Sequence, residues 1–158
     1  MGHTVRDGVR VRQFNGELLA TTSSKDYRKD RWIEFSLYRT VSNQYVVARV
    51  GRSKIFHGAE CEVVGRNHLS PVDGLTLAPE AIPCYKCRPS RGDIEGVFPE
   101  TPRYAAWVCT EPLGVVSSLM QEDHNGVEYL TNVARKLLEI ASEVDSGIED
   151  AYLVDRIE

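Results

Sequence analysis

Trp32-Ile33-Glu34-Phe35-Ser36-Leu37-Tyr38-Arg39-Thr40-Val41-Ser42-Asn43-Gln44-Tyr45-Val46-Val47-Ala48-Arg49-Val50 is the stretch on which the fold turns. In its first part Ile33, Phe35 and Leu37 oppose Trp32, Glu34, Ser36 and Tyr38, the period-2 pattern of a half-buried strand. Tyr45 to Val50 is a β-branched run, and Ser42-Asn43-Gln44 supplies turn chemistry between the two. The stretch therefore reads as a β-hairpin. Toward the N-terminus, Val9-Arg10-Val11-Arg12-Gln13-Phe14 alternates in the same way. Asn15-Gly16, both tolerant of positive φ, then predicts a second hairpin turn, with residues 17–23 as the returning strand. Residues 24–31 form a charged loop whose apolar anchor is Tyr27. Lys54-Ile55-Phe56 reads as a short strand that delivers the chain to His57. The first 56 residues are thus expected to be an antiparallel meander of four or five strands.

Beyond the meander the composition changes. Six of the seven prolines (Pro71, Pro79, Pro83, Pro89, Pro99 and Pro102) fall in residues 57–103. So long an irregular stretch is uncommon in a compact domain and calls for something to staple it. Tyr104 to Cys109 reads as one more strand. Thr110, with Glu111 and Pro112 behind it, predicts a helix start. That helix is expected to run to about Glu122 and to stop at Asp123-His124-Asn125-Gly126. Val127, Leu130, Val133, Ala134, Leu137, Leu138 and Ala141 follow the i, i+3, i+4, i+7 stripe of an amphipathic helix, and a last helix is expected over residues 148–154. The expected class is α+β: one domain over residues 1–158, made of a meander (1–56), an irregular zinc-stapled segment (57–103) and a strand with two to three helices (104–158).

A chain of 158 residues with 42% apolar and 27% charged residues can bury a core and is not of disordered type. No apolar run nears the roughly 20 residues needed to cross a bilayer. Residues 1–7 carry no apolar segment of secretory type. The expectation is a cytoplasmic protein that does not enter the membrane. Residues 1–103 hold 16 Lys/Arg against 12 Asp/Glu, and residues 104–158 hold 3 against 11. A basic first half could face phosphates, or the two halves are simply solvated faces of opposite sign.

All four cysteines lie between positions 61 and 109. In an intracellular chain such clustering points to metal or catalysis rather than to disulfides. His57-x3-Cys61 and, 22 residues on, Cys84-x2-Cys87 offer two pairs of donors, each able to grip one ion from a turn. Three thiolates and one imidazole satisfy tetrahedral Zn(2+) and leave no open position, so the zinc is expected to be structural. Pro83 and Pro89 stiffen the second turn. His68 is the competing fourth ligand. Cys109, inside an apolar strand, reads as a core residue.

The residues Phe56-His57…Cys61 and Pro83-Cys84-Tyr85-Lys86-Cys87-Arg88-Pro89 resemble the Ada-like metal-binding module, over about residues 54–91. In the alkylation-repair member of that family the first ligand is a cysteine that accepts a methyl group; here the matching residue is His57. An imidazole cannot supply the zinc-activated thiolate, so the resemblance implies a metal site without the repair chemistry. It also implies nucleic-acid contact through Lys86, Arg88 and Arg91, and Lys54 of the basic meander joins them as a candidate nucleic-acid-binding residue. A second stretch, Gln13 to Ala20 with Leu37-Tyr38-Arg39-Thr40 and the following hairpin (residues 13–50), resembles the uncharacterised EXLDI family of actinobacterial proteins. That likeness implies a fold element and no activity.

No nucleophile elbow, phosphate loop or HExxH pattern is present, and His3, His68 and His124 stand in no recognisable catalytic arrangement. Asp93-Ile94-Glu95 and Glu122-Asp123 read as solvated acids. The leading expectation is a small non-catalytic, zinc-stabilised binding or regulatory protein that acts through protein–protein contacts. One alternative is nucleic-acid binding by the basic half, with Arg10, Arg12, Lys25, Arg28, Lys29, Arg31, Arg49, Arg52 and Lys54 on phosphates and Tyr27, Tyr38 and Tyr85 on bases. A sequence pI of about 5.6 is low for such a domain. The other alternative is a zinc-dependent hydrolase. A homo-oligomer is compatible with any of these.

Overall fold

The computed structural model describes residues 1–154. In chain order the elements are β1 (Gly2–Asp7), β2 (Arg10–Ser23), β3 (Arg31–Thr40), β4 (Tyr45–Ser53), β5 (Ile55–His57), α1 (Glu62–Arg66), β6 (Ile82–Pro83), β7 (Phe98–Pro99) and β8 (Arg103–Cys109). They continue with α2 (Pro112–Leu119), β9 (Gln121–Glu122), β10 (Glu128–Tyr129), α3 (Asn132–Ser142) and α4 (Ser146–Tyr152). A single 3-10 turn, Gly74–Thr76, interrupts the irregular segment. The class is α+β, as the alternating strands and the amphipathic stripe imply. No helix among the described residues is long and apolar enough to cross a membrane.

The chain divides into two compact units. The first comprises Met1–Ser24, Ile33–Val50 and the residues from Tyr104 onward; the second comprises Lys25–Trp32 and Gly51–Arg103. The main sheet is antiparallel and curled, with strand order β1-β2-β3-β4-β8. At its closing edge the Gly8 N–H donates to the Tyr104 carbonyl at 2.8 Å. One face of the sheet buries Leu19, Phe35, Leu37, Tyr45, Val47 and Cys109 against Val115, Val116 and Leu119 of α2, Ala134, Leu137, Leu138 and Ala141 of α3, and Ile148 of α4. The stripe read from the sequence is therefore the buried face of α3. The inner face of the curl carries a smaller cluster of Val5, Val46 and Ala106 flanked by Phe14, Tyr38 and Ala48.

Asn15-Gly16 is not a turn. Residues 10–23 form one continuous strand, and the hairpin turn lies earlier, at Gly8-Val9, with Gly8 at φ +61°. Gly16 answers a different need: a Cβ there would lie 2.2 Å from the Arg39 carbonyl oxygen, so only glycine lets β2 and β3 approach so closely. A register shift between Leu18 and Ala20 adds a bulge, and with it the adjacent residues Leu19 and Ala20 both enter the helix-covered core.

The helical region also departs from expectation. α2 ends at Leu119, and residues 121–129 fold back as the β9–β10 hairpin. The Asp123 carboxylate holds that turn by accepting the N–H groups of Asn125 and Val127, with Gly126 at φ +78°. The α3 helix accordingly begins at Asn132 and not near Val127. Its N-cap is Thr131, whose hydroxyl accepts the Ala134 N–H. The α2 helix lacks the expected Thr110 cap; its N-cap is Glu111, without a side-chain hydrogen bond, and Pro112 opens the first turn.

Candidate metal centre

The second unit has little regular structure, and its short three-stranded sheet positions the site. β5 lies in the middle, parallel to β6 and antiparallel to β7. The parallel pairing sets Phe56 opposite Pro83, and the Cys84 N–H donates to the Phe56 carbonyl at 2.8 Å. The antiparallel pairing sets His57 opposite Phe98, and the Glu100 N–H donates to the Ile55 carbonyl at 3.0 Å. A ladder only a few residues long thus brings His57, Cys84 and Glu100 to one place. The remaining donors come from two turns. Residues 58–61 close with the Cys61 N–H on the Gly58 carbonyl at 3.1 Å. Residues 84–88 close with the Arg88 N–H on the Cys84 carbonyl at 2.8 Å, and Arg88 sits at φ +48°.

The donor atoms of His57, Cys61, Cys84 and Cys87 all lie within 4.8 Å of one another. His57, Cys61 and Cys84 are buried and Cys87 is half-buried. Three soft sulfurs and one imidazole nitrogen at this separation can hold a single metal ion. His68 is not in the group: it is exposed, at φ +51°, in the turn after α1. Cys109 lies in the other unit's core, 3.8 Å from the Ser118 hydroxyl. Burial favours the neutral Cys84 thiol, but the backbone N–H groups of Cys87 and Lys86 and the His57 side chain stabilise its thiolate and bring it down to about 7. Burial, together with the crowding of Cys61 and Cys84, pushes Cys87 up, and an N–H from Gly58 to its sulfur at 3.4 Å only partly offsets this.

Glu100 and Arg31 complete the arrangement; Glu100 did not stand out in the sequence, and Arg31, read there as a candidate phosphate contact, is instead spent on Glu100. The His57 Nε2 is 2.6 Å from the Glu100 carboxylate, and the Nδ1 faces the Cys61 sulfur at 3.4 Å. Arg31 grips the same carboxylate with two bonds, Nε to Oε1 at 3.1 Å and Nη2 to Oε2 at 2.7 Å. Burial opposes the charge on Glu100, but the bonds from Arg31, His57 and Ser53 outweigh it and hold the carboxyl below its usual range. An ionised Glu100 accepts the Nε2–H, which leaves the Nδ1 lone pair for a metal ion. This is the carboxylate–histidine support that metal sites commonly use, and its removal typically costs 10–100-fold in affinity. Glu100→Ala is accordingly expected to weaken metal binding about 10–100-fold in a competition titration with a chromogenic chelator, and Glu100→Gln, which still accepts the Nε2–H, less so. Binding within about twofold of the parent protein in the alanine variant would rule out this support.

The four candidate nucleic-acid-binding cations fare differently. The Lys54 ammonium donates to the Tyr27 carbonyl at 3.2 Å. The Arg91 guanidinium is spent on the carbonyls of Gly74 (3.4 Å), Ala78 (2.8 Å), Pro79 (3.2 Å) and Ala81 (3.2 Å), which makes it a tie across the irregular segment. Arg88 donates through Nε to the Tyr85 carbonyl at 3.3 Å, and Lys86 and Arg88 are both exposed on the turn between the thiols and after them. Tyr85, between Cys84 and Lys86, is 79% exposed. No protein-family model, curated protein or solved structure matches this chain.

Proposed function

We propose that the chain is a zinc-binding protein whose ion is structural: Zn(2+) held by His57 Nδ1 and the thiolates of Cys61, Cys84 and Cys87, with Glu100 and Arg31 supporting the imidazole. The observation that carries this reading is the convergence of four donors of zinc-preferring chemistry within 4.8 Å. Four protein ligands leave no coordination position for a reacting water, so the reading is a non-catalytic binding or regulatory protein and not a hydrolase. The Ada-like likeness of residues 54–91 supports a metal site, and the histidine at its first ligand position argues against methyl transfer.

The zinc turn presents Tyr85 to solvent, flanked by Lys86 and Arg88. A rigid, exposed aromatic beside an Arg is the composition of a protein-contact hot spot. Nucleic-acid binding is the weaker alternative, because Lys54 and Arg91 already donate within the protein. The test is elemental analysis of the purified chain with a mobility-shift assay. One zinc per chain, lost in His57→Ala, and no shift of nucleic acid at low salt are the expected results. One zinc retained in His57→Ala would overturn the ligand set. A shift that weakens steeply with salt would replace protein contact by nucleic-acid binding.

A further inference from the structure

Away from the metal centre, in the first unit, the inner face of the curled sheet opens into a cavity of about 230 Å³. Strand alternation defines what faces it. In the β1–β2 register Arg12 is opposite Val5 and Phe14 is opposite His3, so Arg12 shares its face with Phe14 and with the buried Val5. Val5, Val46 and Ala106 form the inner cluster against which Phe14 packs, and Val46, Ala106 and Val108 line the cavity with Phe14. Thr40, two residues beyond Tyr38, and Gln44, two before Val46, fall on the same face and line the mouth. The result is an apolar floor with a hydroxyl, an amide and a guanidinium around its rim.

Arg12 is the informative member of this set. It is half-buried, and among the described residues no carboxylate, carbonyl or ring engages its side chain. Arg39 of the same unit binds Asp145 and Glu17, and Arg6 lies 5.2 Å over the Tyr104 ring; Arg10 and the half-buried Arg49 are also without a partner among the described residues, but neither lines the cavity. No acidic residue lines the cavity to neutralise Arg12. A guanidinium beside apolar surface, with no protein carboxylate on it, is a ready bidentate partner for a planar anion. Ligand sites combine an apolar lining with a few convergent polar groups in the same way, and β-barrel mouths are among their usual places.

We propose that this cavity binds a small amphipathic carboxylate, its apolar body on Phe14, Val46, Ala106 and Val108 and its carboxylate on the Arg12 guanidinium. The volume falls below the roughly 300–1,000 Å³ of sites for drug-sized molecules, which limits the ligand to a short-chain or single-ring acid. Gln44 lines the same mouth, whereas the Thr40 hydroxyl already meets the Ser42 hydroxyl at 3.0 Å and accepts the Gln44 N–H at 3.0 Å.

The test is an amide-resolved NMR titration of the zinc-loaded protein with hexanoate, benzoate and 3-phenylpropanoate, each beside its neutral carboxamide. At least one acid is expected to shift the Arg12, Phe14, Gln44, Val46, Ala106 and Val108 amides saturably, with an affinity about tenfold or more above that of its amide. Arg12→Met keeps the aliphatic stem and is expected to abolish that preference while leaving the rest of the spectrum unchanged. Equal affinity for acid and amide would overturn the role of Arg12. No saturable shift at these residues from any acid up to about 10 mM, or saturable shifts elsewhere only, would overturn the site.

Discussion

Cys84→Ser abolishes metal binding and unfolds residues 51–103: this is the largest effect expected of any single substitution in the chain. The reason lies in what else holds that unit together. Its buried cluster consists of Ile55, Cys61 and Cys84, with Val63, Val64, Ile82 and Cys87 partly buried around it and Phe56, Leu69 and Val97 buried elsewhere in the unit, so the proposed metal ligands are a sizeable part of a small core. Ordering a backbone costs roughly 1–2 kcal/mol per residue, which a handful of aliphatic side chains at about 1.5–3 kcal/mol each does not offset over fifty residues. On the proposed reading a structural zinc supplies what is missing, since apparent binding energies of such ions in small domains run to about 10–16 kcal/mol and become folding energy. Cys84 is the most sensitive ligand because its sulfur also accepts the Cys87 and Lys86 N–H groups. Hydrogen exchange should show loss of protection at Phe56, Val64 and Cys84, and a strong chelator should reproduce it in the parent protein. A serine variant that keeps one equivalent of metal and the parent exchange pattern would refute this account.

The donors of that site were readable because their chemistry is local. Each pair sits three or four residues apart, a spacing that lets one tight turn bring two side chains together, as the turns at 58–61 and 84–88 do. The strands at Trp32 to Val50 and the apolar stripe of α3 were readable for a similar reason, since period-2 and period-3.6 patterns report burial directly. What escaped the sequence depends on partners distant along the chain. Glu100 lies 43 residues from His57 and Arg31 lies 69 from Glu100; the β5–β7 pairing brings Glu100 to His57, and the backbone bond from Lys54 to Asp30 sets Arg31 beside them. Asn15-Gly16 misled because glycine serves two purposes with one signature: a positive φ in a turn, or the absence of a Cβ where two strands press together. Local signals for a helix end at Asp123 to Gly126 were real, but they served a hairpin turn, and the two-residue strands beside it are too short to show a period. The Arg91 guanidinium looked like a phosphate-binding group and is instead used by four backbone carbonyls of the irregular segment.

Asp145→Ala is expected to destabilise the first unit by about 2–4 kcal/mol, the sum of a lost helix cap and an orphaned buried hydroxyl. Asp145 is 2% exposed and serves three groups at once. Its Oδ1 accepts the Ile148 N–H at 2.9 Å as the N-cap of α4, and the Tyr45 hydroxyl at 3.0 Å; its Oδ2 accepts Arg39 Nη1 at 2.9 Å. Gly147 makes room for this meeting, since a Cβ there would lie 3.0 Å from the Tyr45 hydroxyl and 2.9 Å from Pro112 Cγ. Alanine leaves an uncapped helix, an orphaned hydroxyl and a part-buried guanidinium; asparagine keeps an acceptor for the cap and is expected to cost less. Tyr45 adds a pH signature. Burial, then the hydrogen bond to and the charge of Asp145, push its hydroxyl up to about 12, so the folded state keeps a proton that the unfolded chain releases near 10. The contribution is therefore complete below about pH 10 and is lost as pH rises through about 12. Denaturant unfolding of the parent protein should lose stability across that interval, and Tyr45→Phe should flatten the loss. An Asp145→Ala variant within about 1 kcal/mol of the parent, or an alkaline slope that survives Tyr45→Phe, would show that this carboxylate does not anchor α4 to the sheet.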